Sequence, residues 1–125
     1  MSPLQVSAAA PAITQDNLRF VEYPDFPEAH STWGSIGYST KHRKVFIGVT
    51  NHRDRVGLFE YDVSTEKMRL CGFLPELAHL RAFQWQGKIH SQIVEGPGGE
   101  MYFTTDGGES REEFLMENPQ GYAGG

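Results

Sequence analysis

The chain has 125 residues, a formal net charge of -5, 38% hydrophobic side chains and 22% charged ones. This length suits one domain with a real core, and the charge gives no reason to expect nucleic acid or an anionic membrane as partner. No apolar run approaches the ~20 residues of a membrane span, and the single cysteine, Cys71, excludes an intrachain disulfide and a cysteine-built zinc site.

Fourteen glycines and seven prolines make up about 17% of the chain against about 12% on average. With 12% aromatic residues, this composition predicts many turns between short, ring-rich strands. Residues 1–30 are small, polar and punctuated by proline, and read as a flexible lead-in with a short strand over Leu18 to Tyr23. The opening lacks the basic and apolar regions of a signal peptide, so a cytoplasmic protein or a processed secreted one is expected.

Residues 31–76 predict four strands. Ser35 to Ser39 alternates small and apolar residues, and Lys44 to Thr50 (KVFIGVT) is rich in β-branched and aromatic residues. Val56 to Val63 puts Phe59, Tyr61 and Val63 on one face and Val56, Leu58 and Glu60 on the other. Lys67 to Phe73 returns after a turn in which Asp62, Ser64 and Thr65 can bond nearby amides. Short turns join all four into an antiparallel meander, the mark of an all-β fold.

Residues 77–125 predict a connecting loop and an incomplete second unit. Glu76 to Gln86 has a weak helical period, Lys88 to Glu95 reads as one strand, and Met101 to Thr105 follows the Pro97-Gly98-Gly99 turn. At an offset of 56, Val45, Phe46 and Ile47 fall on Met101, Tyr102 and Phe103, and at 57 Ile36 falls on Ile93. An internal repeat is therefore expected.

The Tyr61-Asp62 strand end, its Ser64-Thr65 turn and the return strand resemble the outer hairpin of β-propeller blades of the WD, NHL, kelch and gluconolactonase-like kinds. Ile93 to Thr104, with its glycine-rich turn and Met-Tyr-Phe strand, resembles an inner hairpin. The usual outer-turn glycine is replaced by Glu66. The resemblance implies about one and a half blades of a longer propeller; a small self-contained β-sheet domain is the competing reading.

In a meander, alternate connections share one end of the sheet, and long loops on one end of a rigid scaffold commonly carry function. Here they bring His30, His52, His79 and His90 to one end and His42 to the other. His52, Arg53 and Arg55 would suit an anionic ligand, or form a solvated loop. His90 and Gln92, two apart on a predicted strand, would point the same way and could share a divalent ion such as manganese, zinc or calcium. Trp33 and Trp85 could stack on sugar rings or pack on the sheet. Asp106-Gly107-Gly108 only faintly resembles a calcium loop. By resemblance to propeller lyases, His90, His52 and Arg53 would be catalytic, and Trp33, Arg55, Gln92 and Trp85 would bind a carbohydrate or other small ligand. The alternative is a non-catalytic scaffold for a protein partner.

Overall fold

A computed structural model describes residues 10–51, 55–80 and 84–108. The β-branched and aromatic runs form four strands, β1 (Ile36–Ser39), β2 (Lys44–Thr50), β3 (Val56–Asp62) and β4 (Lys67–Phe73). They pair in chain order as an antiparallel meander. One turn of helix, α1 (Leu74–Leu77), follows with Pro75 in its first turn, where a missing amide is harmless. The second unit holds β5 (Trp85–Ile89), β6 (Val94–Glu95), β7 (Met101–Tyr102) and β8 (Thr105–Gly108), with β5 on β8 and β6 on β7. No helix among the described residues is long and apolar enough to cross a membrane.

Local chemistry sets the turns. The Asp62 carboxylate accepts from the Ser64 hydroxyl and from the amides of Thr65 (3.1 Å) and Ser64 (2.8 Å), which holds its pKa below the ordinary value. Glu66 closes this turn at φ 56°, the left-handed conformation that glycine adopts without strain. Between β3 and β4 the register shifts after Leu58, leaving Cys71 as the extra residue of a bulge.

The two faces of the meander are buried differently. On one, Val49 and Phe59 join Phe26, with Ile47, Met68, Leu70 and Phe73 around them. Phe26 stacks on Phe59 and meets Phe73 edge to face, so the lead-in closes this core instead of hanging free. Leu18 to Tyr23 forms no strand: it has no ladder partner and runs across the sheet beside Val45, Ile47 and Tyr61. On the other face, Val56 and Leu74 pack with Ile89 and Ile93 of the second unit, flanked by Phe46, Leu58, Met101 and Phe103. This second cluster joins the units.

Three strand pairings of the first unit recur in the second at the offsets read from the sequence. Gly37 opposite Phe46 returns as Val94 opposite Tyr102, and Tyr38 opposite Val45 as Glu95 opposite Met101. The bridge Ser31–Thr50 returns as Lys88 opposite Asp106. Arg43 (φ 54°) and Gly99 (φ 90°) occupy the same left-handed turn position.

The predicted strand Lys88 to Glu95 is not continuous. It begins at Trp85, breaks at His90 and bends at Ser91, whose hydroxyl accepts the Thr104 amide (2.8 Å) where a backbone carbonyl would serve in a ladder. Asp106 lies in β8 rather than in a loop, because β5 supplies it with a partner strand. The weak helical period near Glu76 corresponds to the single turn α1, and Trp85 belongs to a strand instead of the loop.

Two contacts fix the second unit on the first. A Cβ at Gly37 would lie 1.8 Å from the Ile93 carbonyl oxygen, so only glycine permits this approach. The Glu95 carboxylate accepts from the Ser39 hydroxyl (2.6 Å) and the amides of Lys41 (3.0 Å) and Thr40 (2.9 Å). Gly37→Ala should therefore cost about 1–3 kcal/mol in urea unfolding, whereas Gly34→Ala, with nothing within 4 Å, should leave this contact intact. The same hydrogen bonds, the Ser39 hydroxyl first, hold the Glu95 pKa at about 2 against an ordinary 4.5. A carboxylate more acidic when folded stabilises fully above its unfolded pKa, and the gain fades as pH falls through the folded value. Stability should drop between pH 4.5 and about 2, and Glu95→Gln should flatten that part of the profile in acid unfolding followed by circular dichroism.

Candidate functional site

Among the described residues, Ser31, Thr50 and Gly87 are tied together at one end of the meander. The amides of His30 (3.2 Å) and Ser31 (3.3 Å) donate to the Thr50 carbonyl, and the Thr50 amide donates to the Ser31 carbonyl (2.9 Å). The Thr50 hydroxyl donates to the Gly87 carbonyl of β5 (2.5 Å), tying the second unit to the same point. Asn51 and Arg55 close the β2–β3 connection through Asn51 N–H to Arg55 carbonyl (3.2 Å) and Arg55 N–H to Asn51 Oδ1 (3.1 Å).

On this frame β5 and β8 present three ionisable groups and the first unit presents a ring. Lys88 is 1% exposed, and its ammonium lies 4.6 Å from the centre of the Trp33 ring. A desolvated cation over an indole is worth about 2 kcal/mol. Asp106 faces both Lys88 (Nζ to Oδ2, 3.9 Å) and His90 (Nδ1 to Oδ1, 3.8 Å). These separations are those of charge attraction rather than of tight hydrogen bonds. Trp33 remains 41% exposed and His90 37%, so an indole and an imidazole reach solvent above a buried Lys–Asp pair. Trp33 and His90 also occupy equivalent positions of the two units, at an offset of 57.

The structure therefore unites Trp33 with His90, two of the residues singled out from the sequence. Gln92 is exposed beyond the bend at Ser91, so the shared strand direction expected for His90 and Gln92 does not exist. Arg55 stacks its guanidinium on the Phe73 ring at 4.7 Å, a ring that meets Phe26. Trp85 contributes backbone to β5. His52 and Arg53 lie outside the described residues. His42 sits at the opposite end beside Gly99. No group of three or more His, Cys, Asp or Glu side chains that could hold a metal ion occurs among the described residues. Sequence reasoning missed Lys88 as a site member and noted Asp106 only in a faint calcium-loop resemblance; the one available signal was a lysine in a predicted strand two residues before His90.

The arrangement can stack a flat or polyhydroxylated ring on the indole and offer it imidazole hydrogen bonds, with the buried ion pair fixing both. No family model, curated protein or solved structure matches this chain. Lys88→Met would remove the ammonium facing a carboxylate that is itself only 15% exposed. It should cost about 3 kcal/mol, and a Lys88→Met/Asp106→Asn double variant should cost less than the two single changes added together, measured as a double-mutant cycle in urea.

Proposed function

We propose that the chain is part of a β-propeller and that the Trp33–His90 end of its blades binds a polar ring ligand, an acidic sugar being the best match. The recurrence of three strand pairings at the offsets 57 and 56 supports the repeat reading, since a repeat carries backbone register from unit to unit. The single observation that carries the ligand reading is the half-exposed Trp33 indole, held against the buried Lys88 ammonium beside His90. An indole so held is a stacking platform with little side-chain freedom left to lose on binding, and since Asp106 offsets the Lys88 charge, a ligand carboxylate would be met by the exposed His90 imidazole.

A second reading, catalysis, rests on the His90–Asp106 pair (3.8 Å). An imidazole facing a carboxylate is the arrangement from which a base abstracts the proton next to a sugar carboxylate in lyase chemistry. Such a reaction would leave an unsaturated product that absorbs in the ultraviolet.

Titration of the full chain with a galacturonate trisaccharide, read by calorimetry and tryptophan fluorescence, tests both readings. Binding, measured below the melting temperature of each variant, should weaken at least about tenfold in Trp33→Ala and in His90→Ala, with the His90→Ala melting temperature close to that of the parent and the Trp33→Ala one lowered by loss of the Lys88 contact. Unchanged affinity in Trp33→Ala would remove this site, and no heat with any acidic or neutral oligosaccharide would favour the protein-scaffold alternative. Ultraviolet absorbance that grows with time, and is lost in His90→Ala, would add catalysis to binding.

A further inference from the structure

The two units leave open the two halves of the contact that joins them. The second unit docks through Ile93 and Glu95, whose equivalents in the first unit are Ile36 and Tyr38. Ile93 is 3% exposed, whereas Ile36 is 56% exposed and Tyr38 49%. The first unit receives its neighbour on Gly37 and Phe46, whose equivalents in the second are Val94 and Tyr102. These two apolar side chains, paired across β6 and β7, are 53% and 57% exposed. Among the described residues, one β edge thus carries an unmatched docking face and the other an unmatched receiving face.

The polar part of the contact changes on both sides together. Inside the chain a carboxylate, Glu95, meets three donors at Ser39, Thr40 and Lys41. At the open faces the neutral Tyr38 stands where Glu95 does, and Gly96 and Pro97 stand where Ser39 and Thr40 do. Gly96 has no hydroxyl and Pro97 has no amide hydrogen, so of the three donors only an amide, that of Gly98, has a counterpart, and bringing these faces together would strand no carboxylate. We propose that they bind each other between two copies of this chain, the Ile36–Tyr38 face of one copy seated on the Val94–Tyr102 face of the next. Val94 and Thr104 hold the places of Gly37 and Gly48, so the copies stand further apart than the units within a chain, and contact runs side chain to side chain. The lead-in crosses the same sheet face at Val45, Ile47, Tyr61 and Met68, which confines the contact to the β1 edge. A contact of this kind is head-to-tail and propagates into a ring or an open string of copies. It rests on the paired registers and their exposure, and stands or falls independently of any ligand at Trp33.

Sedimentation equilibrium of the full chain, from low to high micromolar concentration, reads the outcome directly. The mass should rise above the 14.0 kDa of one chain as concentration increases. Ile36→Glu and Tyr102→Glu, each at an exposed position, should each weaken self-association at least about tenfold, with circular dichroism unchanged. An equimolar mixture of these two variants should form one-to-one dimers, because each supplies the face the other has lost. Tyr38→Lys repeats the first arm should Ile36→Glu fail to fold. A monomer at every concentration, assembly that both variants leave intact, or a mixture that stays monomeric would each overturn the proposal; the last would indicate a symmetric contact instead.

Discussion

Everything in this molecule depends on how closely the Ile93 backbone approaches Gly37. A four-stranded meander has two faces to bury, and the lead-in reaches only one of them, where Phe26 lies on Phe59. The other face carries Val56, Leu58 and Phe46, and it leaves water only by meeting Ile89, Ile93, Met101 and Phe103. Burying side chains of this size contributes about 1.5–3 kcal/mol each, which outweighs any hydrogen bond between the units. Glycine at position 37 sets the distance at which that burial occurs. The same distance lets Glu95 reach the β1–β2 turn and brings β5 under the Thr50 hydroxyl.

The two ends of the joined units are consequently unlike. At the turn end two carboxylates have close partners. Glu95 is saturated by hydroxyl and amide donors, and Glu60 takes hydrogen bonds from Lys44 (2.6 Å) and Arg69 (2.6 Å). Burial alone would raise the Glu60 pKa, but those two cations outweigh it and the pKa is lowered. At the loop end the charges stand nearly 4 Å apart, and two rings face solvent. The closer pairs thus lie at the turn end and the wider Lys88–Asp106 and His90–Asp106 separations at the loop end.

The first sheet was legible because its information is local. KVFIGVT can hardly be anything but a strand, and the Asp62-to-Glu66 turn carries its own hydrogen bonds, even to the Glu66 backbone strained where glycine is usual. The second unit was legible only in part, because its strands are specified by distant partners. Ile89, Ser91 and Ile93 alternate as a strand should, yet the Ser91 hydroxyl replaces a ladder bond and the chain bends. Asp106 reads as a loop residue until β5, some eighteen residues earlier, is placed beside it. The site suffered most from this. Trp33 and His90 were visible as rings at matching repeat positions, but Lys88 and Asp106 acquire meaning only through a pairing that no short stretch of sequence announces.

Positions that correspond in register between the two units differ in chemistry. Ser31 and Thr50 form a bridge held by backbone hydrogen bonds, and their repeat counterparts Lys88 and Asp106 form an ion pair. The backbone register is the same, so the change from hydroxyls to opposite charges left the pairing in place. Trp33 in one unit and His90 in the other extend the same pattern one step outward, and Trp33 takes its neighbour from the other unit. The Trp33 ring receives the second unit's Lys88, and His90 shares Asp106 with that same lysine. Neither unit holds this constellation alone. The seam at Gly37 is what assembles it, so the residue with no side chain does as much to define the site as those whose side chains line it.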